Sequence, residues 1–574
     1  MASLNIRADA DHTYDAIVVG SGISGGWAAK ELTERGLTTL VLERGPMVKH
    51  IEDYTTATTA PWETKYPKAR LPGAVLEKKY PVQKRTAYVN EYTEHFFVRD
   101  DENPYVERKR FDWIRGYQVG GRSLIWSRQT YRHSDLDFEA NLREGVGVDW
   151  PIRYADLAPW YDHVERFIGV SGQKEGLPHL PDGQFQPPME MNCVEAGFKA
   201  RTEARFAGRC VTIGRAAHLT EPTEEQLALG RGKCQFRNMC IRGCPFGAYF
   251  SSNSATLVAA ERTGRLKIRP NSIVVSVLHD DSRGVAKGVR VLDQTTGVWE
   301  DFYAKVIFLN ASALNTAWIL LNSTSDRYPN GLGNDSDQVG RNIMDHHIGV
   351  GAVAEVDGYD DMYYSGRRPN GIYVPRFRNL GDAASRRNDY RRGFAYQGSG
   401  IRLDWEREPA GFGAARKDRL SQPGPWMMRL GGFGEILSYN DNRMTLNHSA
   451  TDRFGLPTVE LDVSIRDNEK AMRMDMVTSA AEMLEAAGYR NIRTFDADYA
   501  PGLGIHEMGT ARMGRDPKTS VLTAQNQLHS CKNVFITDGA AMTSAACVNP
   551  SLTYMALTAR AAAFAAEAGK RGEF

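Results

Sequence analysis

Residues Gly20-Ser21-Gly22-Ile23-Ser24-Gly25 form a G-x-G-x-x-G run. In such a run the chain turns tightly, brings bare backbone up to a pyrophosphate, and opens a helix whose unpaired N–H groups meet the phosphates. Glu43, with Arg44 beside it, follows at the distance from which a carboxylate reaches a ribose hydroxyl. A second set is Cys234, Cys240 and Cys244, spaced C-x5-C-x3-C and followed by Pro245. Iron–sulfur clusters take thiolates in close sequence, often with proline after the last, and three ligands suit a three-iron cluster better than a four-iron one. Zinc wants four ligands, and no histidine lies in this segment. Three unligated thiols or one incidental disulfide fit the same spacing, which leaves these readings open. Thirteen histidines are present, most of them necessarily structural or solvated. The pair His346-His347 invites a metal reading, but neighbours on a strand point to opposite faces, and both are read as structural.

The elements that must carry these residues are legible in outline. Residues 15–20 form a short apolar run for a buried strand, 25–35 a helix ended by Gly36, and 38–42 a second strand closed by Glu43. Together they make a βαβ unit. Residues 46–110 read as loops and short elements. A helix is expected over 154–168, followed by a long polar stretch. Strands are expected at 274–278, 288–292 and 306–309, then a helix over 311–322. Alternation over 345–465 predicts an antiparallel sheet, with a helix at 472–488 after it. Within that sheet Gln397 could contact substrate hydroxyls, but is read in preference as an ordinary strand residue. Asn549 as N-cap and Pro550 at the first helical position predict a final helix to residue 568, with Gly569 just beyond.

The chain has 574 residues, too many for one simple core, so two domains sharing an interface are expected. Hydrophobic residues are 42% and charged residues 25%, the balance of a globular protein, and a net charge of +1 provides no field for nucleic acid or an anionic membrane. No run reaches the roughly 20 apolar residues of a membrane span. The N-terminus lacks the basic-then-apolar order of a secretory signal. Seven cysteines in a chain this long argue against a disulfide scaffold.

Four segments taken together, WIRGYQVGGRSLIWSRQTYRHS at 113–134, the Trp-Pro pair at 150–151 with the helix after it, GIHEMGTARMGRDPKTSV at 504–521 and NVFITDGAAMTSAACVNPSLTYMALT at 533–558, resemble the glucose-methanol-choline oxidoreductases over essentially the whole chain. The resemblance implies an α/β FAD-binding Rossmann-like domain plus an α+β substrate domain with a large antiparallel sheet. The FAD-binding domain would comprise residues 1–149, with the loop excursion 46–110, then 236–344 and 496–574. The substrate domain would comprise 150–235 and 345–495, and the cysteine segment 234–245 would stand at the start of the second FAD-binding part, 236–344. FAD is then expected against Gly20, Gly22, Ser24, Gly25, Glu43, Arg44, Gly120, Gly121, Ser123, Asp538, Gly539, Asn549 and Pro550. Gly120-Gly121 would let backbone approach the flat ring, and the positive end of the last helix would face the pyrimidine edge. Ile125 stands where some relatives tether FAD through histidine, so the FAD is expected to be non-covalent.

Alcohol oxidation removes a proton from oxygen and a hydride from carbon, and histidine is the usual base. By resemblance His506 is that base and Asn549 the partner that holds the substrate oxygen. The cysteine triad matches one in bacterial FAD-dependent sugar dehydrogenases, the catalytic subunits of glucose dehydrogenase and glucoside 3-dehydrogenase. There it holds a [3Fe-4S] cluster, and a small subunit and a cytochrome or other acceptor take part. This implies oxidation of a sugar hydroxyl, position 3 favoured, and export to the periplasm with a partner that bears the signal; the alternative is a cytoplasmic location. A C1 or gluconate-type dehydrogenase, an O₂-using oxidase, a flavin-containing lyase and a non-catalytic flavoprotein are the competing readings. The triad argues against the oxidase and the lyase, and His506 with Asn549 against the scaffold.

Overall fold

The structure, a computed structural model, describes residues 12–362, 370–403 and 411–574. Most of the N-terminal segment considered for a signal, and parts of the 345–465 stretch, lie outside the described residues. The first strands are β1 (Thr13–Val19) and β2 (Thr39–Leu42), joined by helix α1 (Ile23–Glu34). Then come β3 (Leu266–Arg269), β4 (Ser272–Asp280), β5 (Val285–Asp293) and β6 (Trp299–Leu309). They form one sheet in the order β3-β2-β1-β6-β5-β4, with Val534–Ile536 also paired to β6. The pairs around β1, β2 and β6 are parallel, while β5 returns antiparallel on β6 and β4 on β5. Continuous apolar runs such as Ile17-Val18-Val19 and Thr39–Leu42 belong to strands covered on both faces. On one face α1 packs against the last helix, Ser551–Lys570. Alanines meet there, Ala28 and Ala29 sharing a core with Ala561, Ala562 and Ala565, which lets the helices approach closely.

A second sheet runs Arg490–Asp496, Val350–Val356, Trp426–Glu435, Phe394–Arg402, Ile372–Val374 and Thr212–Ile213, all antiparallel, with His346–His347 added on Trp426–Glu435. Helix Asp467–Ala486 backs it with Met472, Met476, Ala480 and Met483. Strand periodicity then decides which side chains face the other way. Tyr396 lies in that core, and its neighbour Gln397 lines the cavity between the two sheets.

Several boundaries differ from expectation. The hairpin Arg443–Thr451/Pro457–Asp462 does not join this second sheet, which roofs the cavity. It pairs in parallel with Val106–Glu107, because Met444, Val459 and Leu461 bury into the first domain's core, where Trp318 Nε1 donates to the Pro457 carbonyl at 2.7 Å. The polar stretch after residue 168 contains a helix, Cys193–Arg205, started by a reciprocal cap in which Asn192 and Glu195 each accept the other's backbone N–H at 3.0 Å. The last helix begins at Ser551, with Pro550 as its cap residue, and runs through Gly569 to Lys570. Asn549 is therefore not the N-cap, and its amide is free for another task.

Candidate active site

Each glycine of the loop has its own steric reason. Gly20 has φ +91°, and a Cβ there would lie 2.4 Å from the Asn310 carbonyl oxygen. A Cβ on Gly25 would lie 1.9 Å from the Gly20 carbonyl oxygen, so only glycine lets α1 sit this close to β1. A Cβ on Gly22 would meet nothing within 4 Å, because this residue faces open space. Glu43, at the end of β2, accepts from Ser21 N (3.1 Å), Ser21 Oγ (2.6 Å) and Gly45 N (2.9 Å). Burial pushes its carboxyl above the ordinary range. The Ser21 hydroxyl also accepts from Gly120 N at 2.9 Å, which ties the double glycine to the loop. Gly120 has φ +93° and lies against Asn253, while Gly121 faces Gly22. Ser123 Oγ donates to Gly120 O at 2.6 Å, Ser24 Oγ to Thr537 O at 3.5 Å, and the Arg44 guanidinium stacks 4.7 Å from the Tyr117 ring centroid. Asp538 accepts from Ala540 N (2.9 Å) and Thr316 Oγ1 (2.7 Å), and burial raises its pKa to about 6.

These residues line one cavity of about 740 Å³. Gly20, Gly22, Ser24, Glu43 and Arg44 lie on its wall with Gly121, Ser123, Asp538 and Gly539; Gly25, Gly120 and Pro550 do not. Ile125, His506 and Asn549 are on the same wall. Asn310 Nδ2 and the Tyr554 hydroxyl, on residues of this wall, are buried without a partner among the described residues. Buried polar groups are rarely left unpaired, and these two suit a large polar ligand such as FAD.

His506 is held from two directions. Its N–H donates to Asp345 Oδ1 at 3.0 Å, and its Nδ1 lies 3.2 Å from His346 Nδ1. Asp345 also accepts from Gly502 N (2.8 Å), Gly504 N (3.0 Å) and Tyr499 OH (3.1 Å). Burial, and after it His346 and Arg122, hold the His506 pKa well below the ordinary histidine value. His346, read from the sequence as structural, stacks on Phe433 (centroids 4.2 Å apart) and abuts His506. Its neighbour His347 packs against Gly434 and Tyr499. Asp345, His346 and His506 bring potential metal ligands within 4.8 Å of one another. The carboxylate is already engaged by its donors and His346 Nε2 by the Ala546 carbonyl (2.7 Å), so the three form a hydrogen-bonded scaffold. Asn549 Oδ1 accepts from Gln397 Nε2 at 2.8 Å, so Gln397 reaches into the site and is not an ordinary strand residue. Sequence reasoning also missed Arg122, which pairs across two nitrogens with buried Glu507 (3.2 and 2.8 Å). Their adjacency to Gly121 and to His506 was the available signal.

The cysteine segment wraps beside this wall. Cys240 begins a short 3-10 turn, Cys240–Arg242, and Cys234 and Cys244 pack with Met189 and Ala248. All three are free thiols. Burial, then Cys240 and Cys244, push the Cys234 pKa to about 11, and burial raises Cys240 too, with Cys244 adding to it. The thiols thus lie in one region, but among the described residues their sulfurs are not part of a ligand set drawn together within 4.8 Å. The segment continues to Tyr249, whose hydroxyl donates to Leu124 O at 2.7 Å, and Phe250, whose carbonyl accepts from Trp126 Nε1 at 2.9 Å. Trp126 is on the cavity wall.

The sequence pattern of GMC oxidoreductases matches residues 14–348, and a second pattern of the same family matches 438–558. The chain belongs to the GMC oxidoreductase family. Among curated relatives, the 2-methyl-1,2-propanediol dehydrogenase of Mycolicibacterium austroafricanum is 27% identical, covering 97% of this chain and 95% of its own. The fructose dehydrogenase large subunit of Gluconobacter japonicus is 26% identical, covering 96% and 97%. Among solved structures, a formate oxidase variant of Aspergillus oryzae RIB40 superposes with a TM-score of 0.60 at 15% identity, over 99% of this chain and 100% of that one, which shows the fold. As a GMC oxidoreductase the protein binds FAD and oxidises a CH–OH donor. The sheet of β1–β6 is the face of its FAD-binding domain, and the antiparallel sheet is that of the second domain. Among the described residues no helix is long and apolar enough to cross a membrane.

Proposed function

We propose that this GMC oxidoreductase is a dehydrogenase of sugars or glycosides. In this reading it oxidises a secondary ring hydroxyl, position 3 favoured, to a ketone and passes electrons to an external acceptor. The observation that carries the reading is that His506 and Asn549 lie on the same cavity wall as the dinucleotide loop. FAD held non-covalently there, with its phosphates at Gly20–Gly25 and a ribose at Glu43, supplies a hydride acceptor. His506, neutral because burial disfavours its cation, takes the proton of the substrate hydroxyl. Asn549, steadied by Gln397, holds that oxygen so that its carbon faces the acceptor. Gln397, Asn370, Ser399 and Arg429 on the roof wall are the polar groups that suit a polyhydroxylated substrate. The two curated relatives act on a diol and on fructose, by name. A C1 or gluconate-type oxidation is the alternative regiochemistry.

Cys234, Cys240 and Cys244 would hold a [3Fe-4S] cluster, which supplies one-electron carriage toward an acceptor. The surface beside them suits such an exit. Trp62 is 85% exposed, Phe236 and Phe246 are exposed too, and Trp62 and Phe246 flank a shallow pocket with Arg237 and Met239. Lys233, Arg237 and Arg242 carry the only charges near the three cysteines in sequence, apart from buried Arg231. A small accessory subunit, a cytochrome and a periplasmic location reached with that subunit complete the proposal; one relative is itself named a large subunit.

Anaerobic mixing with a panel of sugars, with products identified by NMR, tests the activity. Flavin bleaching by a glycoside with a 3-keto product is expected, and His506→Ala should slow it about 10²–10⁴-fold. Wild-type bleaching in that variant, or stoichiometric peroxide formation in air by the unaltered enzyme, would defeat the reading. For the triad, roughly three irons per chain and a paramagnetic oxidised state are expected. Cys240→Ser should lose both and keep sugar-driven bleaching.

A further inference from the structure

The protons of the His346–His506 pair can be assigned from their partners. The Ala546 carbonyl only accepts, so the nitrogen facing it at 2.7 Å, His346 Nε2, carries hydrogen. Burial holds the His346 pKa to about 3, so the ring is neutral and its Nδ1 is a bare lone pair. That lone pair lies 3.2 Å from His506 Nδ1. Two ring nitrogens this close need one hydrogen between them, and His506 Nδ1 must supply it. The remaining nitrogen of a neutral His506, Nε2, is then unprotonated. The opposite arrangement would need a His346 cation, which its surroundings oppose.

We propose that His346 is a positioning residue: its Nδ1 lone pair keeps the His506 proton on Nδ1, so that Nε2 is the bare nitrogen that receives the substrate's hydroxyl proton. The inference rests on the reading of His506 as the base. Left to itself a neutral imidazole populates both tautomers, and the form protonated at Nε2 cannot accept there. The same bond becomes charge-assisted once His506 is protonated, so it strengthens as the proton is transferred. The geometry is held on every side. His346 is stacked on Phe433, and the preceding residue, Asp345, binds the His506 main chain. Ile505 (φ +61°) and Ala546 (φ +60°) are non-glycine residues in the left-handed region, one preceding His506 and the other providing the carbonyl. Such conformations persist where surrounding structure enforces them, often at functional sites. Among the described residues the charged or titratable groups around the pair include Arg122, Glu507 and Asp345 beside His506, and His133, His347 and Tyr499 beside His346. His346 is the hydrogen-bonding partner of the His506 ring among the described residues.

The FAD-loaded enzyme tests this with His346→Leu and His346→Gln. Glutamine can accept from His506 Nδ1–H and donate to Ala546 O; leucine can do neither. In ¹⁵N-histidine spectra, with His506 assigned by its loss in His506→Ala, the unaltered enzyme should show a bare Nε2 and a protonated Nδ1. His346→Leu should show a tautomer mixture, and its limiting rate of flavin reduction should fall about 10- to 100-fold with little change in KM, the scale of one charge-assisted hydrogen bond. His346→Gln should recover most of both. An unaltered enzyme with the proton on His506 Nε2, or a His346→Leu enzyme with an unmixed tautomer and full rate, overturns the proposal. Should the leucine variant fail to fold, a glutamine variant carrying the proton on Nε2 overturns it equally. A His506→Ala enzyme at full rate would instead remove the base itself, which separates the two failures.

Discussion

Alanine at Gly25 and alanine at Gly22 should have different consequences although the residues are three apart. At Gly25 the new Cβ would lie 1.9 Å from the Gly20 carbonyl oxygen and 2.7 Å from its carbon. Gly20 has little room to retreat toward Asn310, whose carbonyl oxygen lies 2.4 Å from where a Gly20 Cβ would be. Helix α1 must therefore move away from β1, although Trp27, Ala28 and Ala29 are fully buried on it. Forced overpacking of this kind costs about 1–3 kcal/mol, or more where backbone must shift. At Gly22 φ is −66° and no atom lies within 4 Å of the position a methyl would take. Alanine there leaves the packing intact; the restriction of the unfolded chain, about 0.4–1 kcal/mol, is roughly offset because Gly22 is the N-cap of α1, where glycine is preferred over alanine. Its methyl, however, occupies the space a pyrophosphate would use. Thermal unfolding of the FAD-free proteins should show Gly25→Ala destabilised and Gly22→Ala close to the unaltered protein. FAD titration followed by flavin fluorescence should show Gly22→Ala weakened at least about tenfold, equivalent to about 1.4 kcal/mol. An unchanged unfolding midpoint for Gly25→Ala refutes the packing argument, and an unchanged FAD affinity for Gly22→Ala refutes the phosphate placement.

Removing Arg122 as Arg122→Met leaves the Glu507 carboxylate, 1% exposed, without its cation. The expected loss is about 3–5 kcal/mol in denaturant unfolding, and Arg122→Met/Glu507→Leu should regain much of it; a single variant of unaltered stability would show the pair to be idle. Because burial, then His346 and Arg122, depress the His506 pKa, the neutral base survives to lower pH. Flavin reduction should therefore stay level from about pH 8 to the ordinary histidine value of about 6.5 and decline only below it, and an acid limb centred above 7 contradicts the assignment. With Ile125 on the cavity wall, acid precipitation should release all yellow colour into the supernatant, whereas colour kept in the pellet would mean a covalent link through another residue.

Local patterns carried the first βαβ unit. Apolar runs, three glycines and a terminal acid act over distances of a few residues, and β1, α1 and β2 lie within a residue or two of expectation. The FAD family was legible because several such segments occur in a fixed order. What could not be read were contacts made across the two sheets. Gln397 looks like any strand residue until the register of Phe394–Arg402 turns it toward Asn549. His346 looks structural in the sequence because its partner is 160 positions away. The hairpin at 443–462 alternates like a roof strand, and only the burial of Met444 and Leu461 in the other core assigns it elsewhere. Asn549-Pro550 reads as a cap by local preference, and the competing bond from Gln397 has no local signature.

The parallel pairing of Val534–Ile536 onto β6, and of the last helix onto α1, has a consequence for the order of synthesis. A ribosome delivers the dinucleotide loop early, and the segments bearing His506 and Asn549 almost last. An emerging chain thus has a nucleotide-binding turn without a floor, a base or a closing helix. Long-range pairings of this kind form slowly and leave sheet edges unpaired meanwhile. Cofactor capture is thereby expected after translation, when the final helix seals the sheet, and a chain cut short near its end should retain the glycine motif yet hold no redox centre.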